Sequence, residues 1–320
     1  MHLKSNFATI LWIVSYVVLC GCNQSAQTPI AKEKQLHIVC TTTMIEDLVQ
    51  NIVGDKAKVT GIMRAGEDPH IYNVRPRDAE QISQADLVFT NGYHLESTLE
   101  KVIRNNATGP VVALAEKAVR KPLGGMEGKA TAPDPHCWMS VPNFRGYLQH
   151  ALRSLESIDP NNATTYRLNA QQYDSELQAL DRWIEDRFAN IPSEQRVIVT
   201  SHDAFQYLAT TYGLDVRAMT GISTAEAPRP QEIEKIEALI QNRKVKALFI
   251  ETSTSSTLNR LVEKSAASTG ASIGGTLYSD SLDAPGTPAG SYIGMMQHNV
   301  TAIADALGQP SPPLKRANNL

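Results

Sequence analysis

The chain of 320 residues lacks several features that mark other classes of protein. Its formal net charge is only −3, so no basic surface points to nucleic acid or acidic lipid as a partner. It contains no tandem repeat, no low-complexity block and no His-Glu-x-x-His helix of the metalloprotease type. With 42% hydrophobic and 20% charged residues, it has the composition of a soluble globular protein, long enough for two ordinary domains.

The N-terminus predicts a lipoprotein signal peptide over residues 1–22. Lys4 supplies a short basic region, and the apolar run from Phe7 to Leu19 is too short to span a membrane comfortably. The run ends in Leu-Cys-Gly-Cys, which resembles a bacterial lipobox and predicts Cys22 as the lipidated residue. Cys20 as the modified residue and an uncleaved membrane anchor are the alternatives. Residues 23–34 would form a flexible tether, so the folded part is expected outside the cytoplasmic membrane.

Cysteine is otherwise scarce, since only Cys40 and Cys137 remain after the signal peptide. An extracytoplasmic location permits a disulfide between them. The sequence does not give the Cα separation that a disulfide requires. Two buried thiols and one disulfide therefore both remain open, with the unpaired thiols favoured.

The centre of the chain predicts one long helix. Asp159 can cap it, Pro160 suits the first helical position, and apolar residues then recur at helical spacing to Ala189. The apolar positions are Leu168, Tyr173, Leu177, Leu180, Trp183, Ile184 and Phe188. Such a helix is roughly 45 Å long at about 1.5 Å per residue, more than one small domain needs. A rigid helix over residues 159–190 that joins two lobes is the simplest interpretation.

The segments on either side of this helix alternate short apolar strands with helices, which predicts an α/β fold with parallel sheets flanked by helices. The expected N-terminal lobe covers residues 35–158, the C-terminal lobe residues 191–310, and a loose tail residues 311–320. The strand predicted over 59–63 runs into a turn-rich loop, and residues 117–135 are predicted to be a loop without periodicity.

Four side chains suggest a metal site between the lobes. His70 and His136 each end an Asp-Pro-His motif, while His202 and Asp280 follow strands of the second lobe. Ligands of open α/β sheets bind beyond the carboxyl ends of the strands. Three imidazoles and one carboxylate suit a divalent transition metal. With ordinary His pKa values near 6.5, the affinity for metal should be nearly flat above about pH 7.5.

These motifs resemble the manganese- and zinc-type solute-binding lipoproteins of metal ABC importers. The resemblance runs from about Leu36 to Leu307 and rests on motifs around the four residues. They are Gly66-Glu67-Asp68-Pro69-His70, Asn91-Gly92-Tyr93-His94-Leu95-Glu96, Asp134-Pro135-His136-Cys137-Trp138, Ser201-His202-Asp203-Ala204-Phe205 and Tyr278-Ser279-Asp280-Ser281-Leu282, followed by Gly286-Thr287-Pro288 and Ser291-Tyr292-Ile293-Gly294-Met295-Met296. The resemblance implies that His70, His136, His202 and Asp280 coordinate one metal between two lobes. It also implies an ABC permease and its ATPase as partners.

The sequence favours Mn²⁺ as the metal, with Zn²⁺ and then Fe²⁺ as alternatives. Residues 117–133 contain no His, whereas zinc-specific members of the family often carry a His-rich loop there. Asp280 resembles the manganese and iron members. Against manganese, His202 stands where many manganese binders have Glu, and zinc has the higher intrinsic affinity.

Other polar residues receive more modest interpretations. His94 is not a ligand position of the family, and His37, His150 and His298 are predicted to be strand or helix-face residues. Glu251 is a candidate to hold an imidazole N–H, or else a capping or solvated carboxylate. Trp138 and Phe205 are expected to exclude water from the ligands.

The predicted function is therefore capture of a divalent metal for delivery to a membrane permease, and the protein is not expected to be an enzyme. The remote alternative is a zinc hydrolase with Asp203 or Glu251 as base. A catalytic zinc keeps an open coordination position, which four protein ligands would close. An adhesin or a metal chaperone on the same scaffold also remains open.

Overall fold

The computed structural model describes residues 35–124 and 132–308. The predicted signal peptide, Cys22, the tether and the tail over 311–320 lie outside these residues. Each half of the described chain contains one four-stranded parallel sheet. The N-terminal sheet contains β1 (Leu36–Cys40), β2 (Ala57–Gly61), β3 (Leu87–Thr90) and β4 (Val111–Ala113), and the C-terminal sheet contains β5 (Val197–Thr200), β6 (Asp215–Ala218), β7 (Ala247–Glu251) and β8 (Ser272–Leu277).

The two sheets share one topology. Their strand orders are β2-β1-β3-β4 and β6-β5-β7-β8, and every pair of neighbours is parallel. The central strands β3 and β5 are buried along their whole length, as expected for parallel strands covered by helices on both faces. The prediction of two α/β lobes with parallel sheets is confirmed.

Helices cover both sheets and connect the lobes. They are α1 (Thr43–Val53), α2 (Pro76–Gln84), α3 (Ser97–Asn106), α4 (Leu114–Ala118), α5 (Val141–Ile158), α6 (Ala163–Ala189), α7 (Gln206–Tyr212), α8 (Pro230–Arg243), α9 (Ser256–Thr269) and α10 (Tyr292–Ala306). Hydroxyl caps start three of them: Thr42 accepts from the Ile45 N–H, Ser255 from the Leu258 N–H, and Ser291 from the Gly294 N–H.

The long central helix is α6, which follows a 3-10 turn at Pro160–Asn162. Its 27 residues extend about 40 Å at the helical rise of about 1.5 Å per residue. The Asp159 carboxylate does not cap the backbone as predicted, because it accepts from the Tyr166 hydroxyl (2.6 Å) and the Asn162 amide (2.8 Å) instead. Leu168 was wrongly placed on the buried stripe and is 63% exposed. It lies two residues from Tyr166 and Ala170, and therefore on the opposite face of the helix.

One apolar core continues through both lobes and along α6, and includes Phe89, Leu177 and Phe249. Asp47 of α1 also makes hydrogen bonds to the central helix and to the C-terminal lobe. Its Oδ2 accepts from the Tyr173 hydroxyl of α6 and from the Tyr292 N–H at the start of α10, both at 3.1 Å. Helices of both lobes are therefore bonded to each other beside the central helix.

Two local predictions were wrong. The second strand covers Ala57–Gly61 and not residues 59–63. Ile62 and Met63 still donate to the Cys40 and Thr41 carbonyls, at 2.9 Å and 3.1 Å, but they follow the last residue paired with β1, and their side chains pack in a separate apolar cluster with Val39. The segment predicted as a loop from Lys117 begins inside a short helix, Leu114–Ala118, whose apolar residues pack in the core.

The two cysteines of the folded region are buried thiols without a disulfide. Burial raises the pKa of the Cys40 thiol well above its ordinary value and that of Cys137 to about 12. Among residues 35–124 and 132–308, no helix combines the length and apolar character that crossing a membrane requires.

Candidate metal centre

The four predicted side chains meet between the two sheets. His202 lies two residues beyond the end of β5, and Asp280 lies three residues beyond the end of β8. His70 lies in a 3-10 turn (Pro69–Ile71), and His136 directly precedes another (Cys137–Met139). His70 is nine residues past β2, so a loop rather than a strand end delivers it.

The two Asp-Pro-His motifs use the same local geometry. In each, Oδ1 of the aspartate accepts the N–H of the histidine two residues later, at 2.9 Å for both Asp68–His70 and Asp134–His136. This short-range bond is typical of aspartate at the start of a turn, and proline suits the position that follows. The motif therefore sets the direction in which each histidine leaves the backbone.

The polar atoms of the four side chains converge on one point. Nε2 of His70 and Nε2 of His136 are 3.2 Å apart, and Nε2 of His136 is 3.3 Å from Oδ1 of Asp280. Nε2 of His202 is 3.2 Å from Oδ2 of Asp280. One ligand atom from each residue can be chosen so that all four lie within 4.8 Å of one another. Four ligand atoms from four residues that lie this close together are grouped as the ligands of a single metal ion are.

Two of these atoms, His202 Nε2 and Asp280 Oδ1, are buried and make no well-formed hydrogen bond, although each lies within 3.3 Å of a charged atom of another member of the cluster. A cation at the centre would satisfy both atoms. The donor set of three imidazole nitrogens and one carboxylate suits Mn²⁺, Fe²⁺ or Zn²⁺. The residues therefore fit a divalent metal.

Neighbouring carboxylates orient two of the imidazoles. Oδ1 of Asp134 is 2.8 Å from Nδ1 of His136. Glu251 accepts the His202 backbone N–H at 2.8 Å through Oε1, and its Oε2 is 2.6 Å from His202 Nδ1. Carboxylates that hold Nδ1 leave Nε2 directed at the centre, as in many metal sites. The interpretation of Glu251 as a partner of an imidazole is confirmed, whereas the role of Asp134 was missed.

Hydroxyl groups hold the fourth side chain. Ser253 and Ser279 donate to Oδ2 of Asp280 at 3.3 Å and 3.4 Å, and their own Oγ atoms are 2.9 Å apart. Oδ1 of Asp280 is thereby left for the centre.

The surroundings give the imidazoles unlike proton affinities. Burial lowers the pKa of His70 to about 3, with a further lowering by His136 and His202 that Asp280 partly offsets. Burial acts in the same direction on His136, but the carboxylates of Asp134 and Asp280 outweigh it and raise its pKa to about 9.

His202 and Asp280 form a coupled buried pair. Burial lowers the pKa of His202, but Glu251 and Asp280 outweigh it and hold that pKa well above the ordinary value. Burial would raise the pKa of Asp280, yet the two imidazoles hold it well below its usual range. Near neutral pH the centre therefore contains an ionised carboxylate beside two protonated imidazoles, and these protons occupy the nitrogens that a metal would bind.

Three further residues that the sequence singled out are His94, Trp138 and Phe205, none of them predicted to be a ligand. His94 has a side chain 72% exposed and pairs with Glu100 at 2.7 Å, away from the centre. The Trp138 ring lies 5.3 Å from the His136 ring and donates from Nε1 to the Ser279 carbonyl at 3.0 Å. Phe205 is fully buried. Trp138 therefore lies beside a ligand, whereas the exclusion of water by both aromatic residues stays a prediction.

The family model described as zinc-uptake complex component A, periplasmic, matches residues 38–306. The chain is 33% identical over 302 residues to the manganese-binding lipoprotein MntA of Bacillus subtilis (strain 168), covering 94% of this chain and 98% of that protein. It is 32% identical over 303 residues to the manganese ABC transporter substrate-binding lipoprotein PsaA of Streptococcus mitis, covering 92% and 96%.

A solved structure supports the same assignment. The periplasmic zinc-binding protein TroA of Treponema pallidum superposes with a TM-score of 0.81 at 33% identity, over 86% of this chain and 100% of that one. The family match spans both lobes and every residue of the centre. The resemblance inferred from the sequence motifs is confirmed, and the chain belongs to the zinc-uptake complex component A family of periplasmic proteins.

Proposed function

We propose that this protein is the extracytoplasmic metal-binding component of an ABC importer, which captures a divalent metal and delivers it to a permease and its ATPase. The observation that carries the proposal is the convergence of His70, His136, His202 and Asp280 on one buried point. The transport role is supported by a relative named as a manganese ABC transporter substrate-binding lipoprotein, and the metal binding also by one named as a manganese-binding lipoprotein.

Each of the four residues has a defined part in binding the metal. His70, His136 and His202 offer Nε2, and Asp280 offers Oδ1 together with the negative charge that attracts the cation. Two ligands come from each lobe, so the bound metal would join the lobes directly.

Mn²⁺ is the proposed cargo, and Zn²⁺ and Fe²⁺ are the alternatives. Asp280 supplies a hard oxygen ligand of the kind manganese prefers. Two of the relatives above are named for manganese, although the solved structure is of a zinc-binding protein. A shell with three imidazoles binds zinc more tightly than manganese on intrinsic affinity, so affinity alone does not identify the cargo.

The carboxylates do not form a catalytic arrangement. Both oxygens of Glu251 are bonded to His202, so Glu251 is not placed to take a proton from a water on the metal. Asp203 accepts instead from the Gln206 amide at 2.7 Å. Retention and release of the metal, without chemistry, is the function these contacts support.

The first prediction tests the transport role and the cargo together. Deletion of the gene should abolish uptake of radioactive Mn²⁺ by cells, and protein purified without added metal should contain about one divalent ion per chain. Uptake of radioactive Zn²⁺ measured in the same cells is the comparison. Loss of Zn²⁺ uptake alone would identify zinc as the cargo, and unchanged uptake of both metals would refute the importer role.

The second prediction concerns the ligands. Replacing His70, His136, His202 or Asp280 with Ala should weaken Mn²⁺ binding by roughly 100-fold or more, exceeding the usual loss for outer partners of a metal site. Titration calorimetry of the purified variants measures the effect. His94→Ala is the matched control, because His94 is a histidine of the N-terminal lobe, like His70 and His136, but lies outside the centre. A loss for His94→Ala equal to that for His202→Ala would show that the centre is wrongly assigned.

The third prediction concerns protons. At pH 7 His136 and His202 are protonated and His70 is neutral, so binding should release about two protons per metal. The apparent affinity should then rise with pH by about two logarithmic units per pH unit. It should not level off below about pH 9, the pKa of His136, because protons on His136 and on His202, whose pKa is also raised, compete with the metal.

Calorimetry in buffers of different ionisation enthalpy, from about pH 5.5 to 9.5, measures the proton release directly. Ordinary His pKa values near 6.5 would instead give a plateau above about pH 7.5. Such a plateau would show that the carboxylates do not raise the pKa values of His136 and His202.

The fourth prediction concerns membrane attachment, which we propose to occur through a lipid on Cys22. Cys22→Ser should release the protein from membranes while its Mn²⁺ affinity, measured on the purified protein, stays unchanged, because residue 22 precedes the fold. Fractionation and mass spectrometry of the N-terminal peptide are the measurements, with Cys20→Ser as the control. An acyl group found on Cys20 would contradict the assignment.

A further inference from the structure

The four ligands are not equally shielded from solvent. His136 and His202 are completely buried and Asp280 is 2% exposed, whereas His70 is 8% exposed. Ile71, the next residue, is 50% exposed. The turn that carries His70 is thus the most exposed part of the centre.

This turn belongs to a short segment, residues 64–70, with its own internal bonds. The Arg64 N–H donates to Oε2 of Glu67 at 2.9 Å, and the Glu67 N–H donates to the Arg64 carbonyl at 3.1 Å. Asp68 in turn accepts from the His70 N–H. These bonds make the segment compact, and the Arg75 guanidinium, directly before α2, adds an ion pair with Glu67.

Two hydrogen bonds join this segment to the C-terminal lobe. The Thr224 hydroxyl donates to Oδ2 of Asp68 at 2.6 Å, and the Gly66 N–H donates to Oγ of Ser281 at 2.8 Å. The Asp68 carboxylate therefore holds the His70 turn through one oxygen and the opposite lobe through the other.

Thr224 is itself tied to another ligand of the centre. It lies in the loop over residues 219–229, between β6 and α8. This loop donates from the Thr220 N–H to the Ser201 carbonyl at 3.2 Å, and its Gly221 carbonyl accepts from the Asp203 N–H at 3.1 Å. Ser201 and Asp203 flank His202, so the loop is anchored on both sides of that ligand.

We propose that Thr224 is a positioning residue that holds the His70 turn closed over the metal through Asp68 and thereby slows release. The proposal rests on the metal-binding function proposed above. In the described structure Thr224 has no bond to a ligand atom, and it acts through the carboxylate that directs His70. When its bond breaks, the segment over residues 64–70 keeps the Gly66–Ser281 bond to the other lobe among the bonds of the described residues, and the turn opens more often.

The test is the rate of Mn²⁺ release from the full chain after mixing with excess chelator. Thr224→Val removes the donor at similar volume and should speed release roughly tenfold, as expected for loss of one hydrogen bond to a charged group. The association rate should change little, because the four ligands are intact. Thr224→Ser keeps the hydroxyl and should restore slow release.

Thr220→Val is the matched control in the same loop. The Thr220 hydroxyl donates to the Glu226 carbonyl at 3.1 Å and makes no bond to the other lobe in the described structure, so release should stay at the wild-type rate. Equal release from wild type and Thr224→Val would overturn the proposal, and so would equally fast release from both valine variants. A wild-type chain that binds no Mn²⁺ and no Zn²⁺ would overturn the proposed function as well, which distinguishes the two failures.

Discussion

The centre depends on the pairing of buried imidazoles with buried carboxylates. Three histidine rings lie with centroids 5.3 to 5.8 Å apart in a site that water hardly reaches. Burial disfavours the charged form of every one of them. Asp134, Glu251 and Asp280 reverse that preference for His136 and His202, whereas His70 has no such carboxylate on its ring in the described structure and stays neutral. The same carboxylates that orient Nε2 therefore also retain the protons with which a metal competes.

This arrangement explains how a closed site can still exchange its cargo. The acids place negative charge beside the three imidazoles, and a buried cation gains from it because a buried charge without a counter-charge is costly. With the acids present, protons and a metal are alternative occupants of the same nitrogens, so one charge replaces another. His70, the ligand outside this proton exchange, is also the most exposed of the four.

The scaffold places these groups by repeating one topology. Both sheets have the same strand order, and β5 and β8 of the second sheet direct His202 and Asp280 from their carboxyl ends. The central helix α6 and the shared apolar core hold the two sheets together, while Asp47 bonds helices on both sides of that junction. The lobes are thus joined by a shared apolar core and by polar contacts such as the bond from the Trp138 indole to the Ser279 carbonyl beside the centre.

The sequence alone was enough to predict the fold class and the four side chains proposed as metal ligands. Alternating apolar strands and amphipathic helices specified two parallel α/β lobes, because periodicity is a local property of the chain. The repeated Asp-Pro-His motif and the residues after two strands identified all four side chains of the centre. Tertiary structure alone decided the rest. Asp134 and Glu251 are oriented onto His136 and His202, and Thr224 lies 156 residues from Asp68, which it contacts. Leu168 faces solvent although its type suggested the core, since a long helix exposes the face that no neighbouring element covers. The His pKa values also diverged from the ordinary value, because burial and charge depend on groups that only the folded chain brings together.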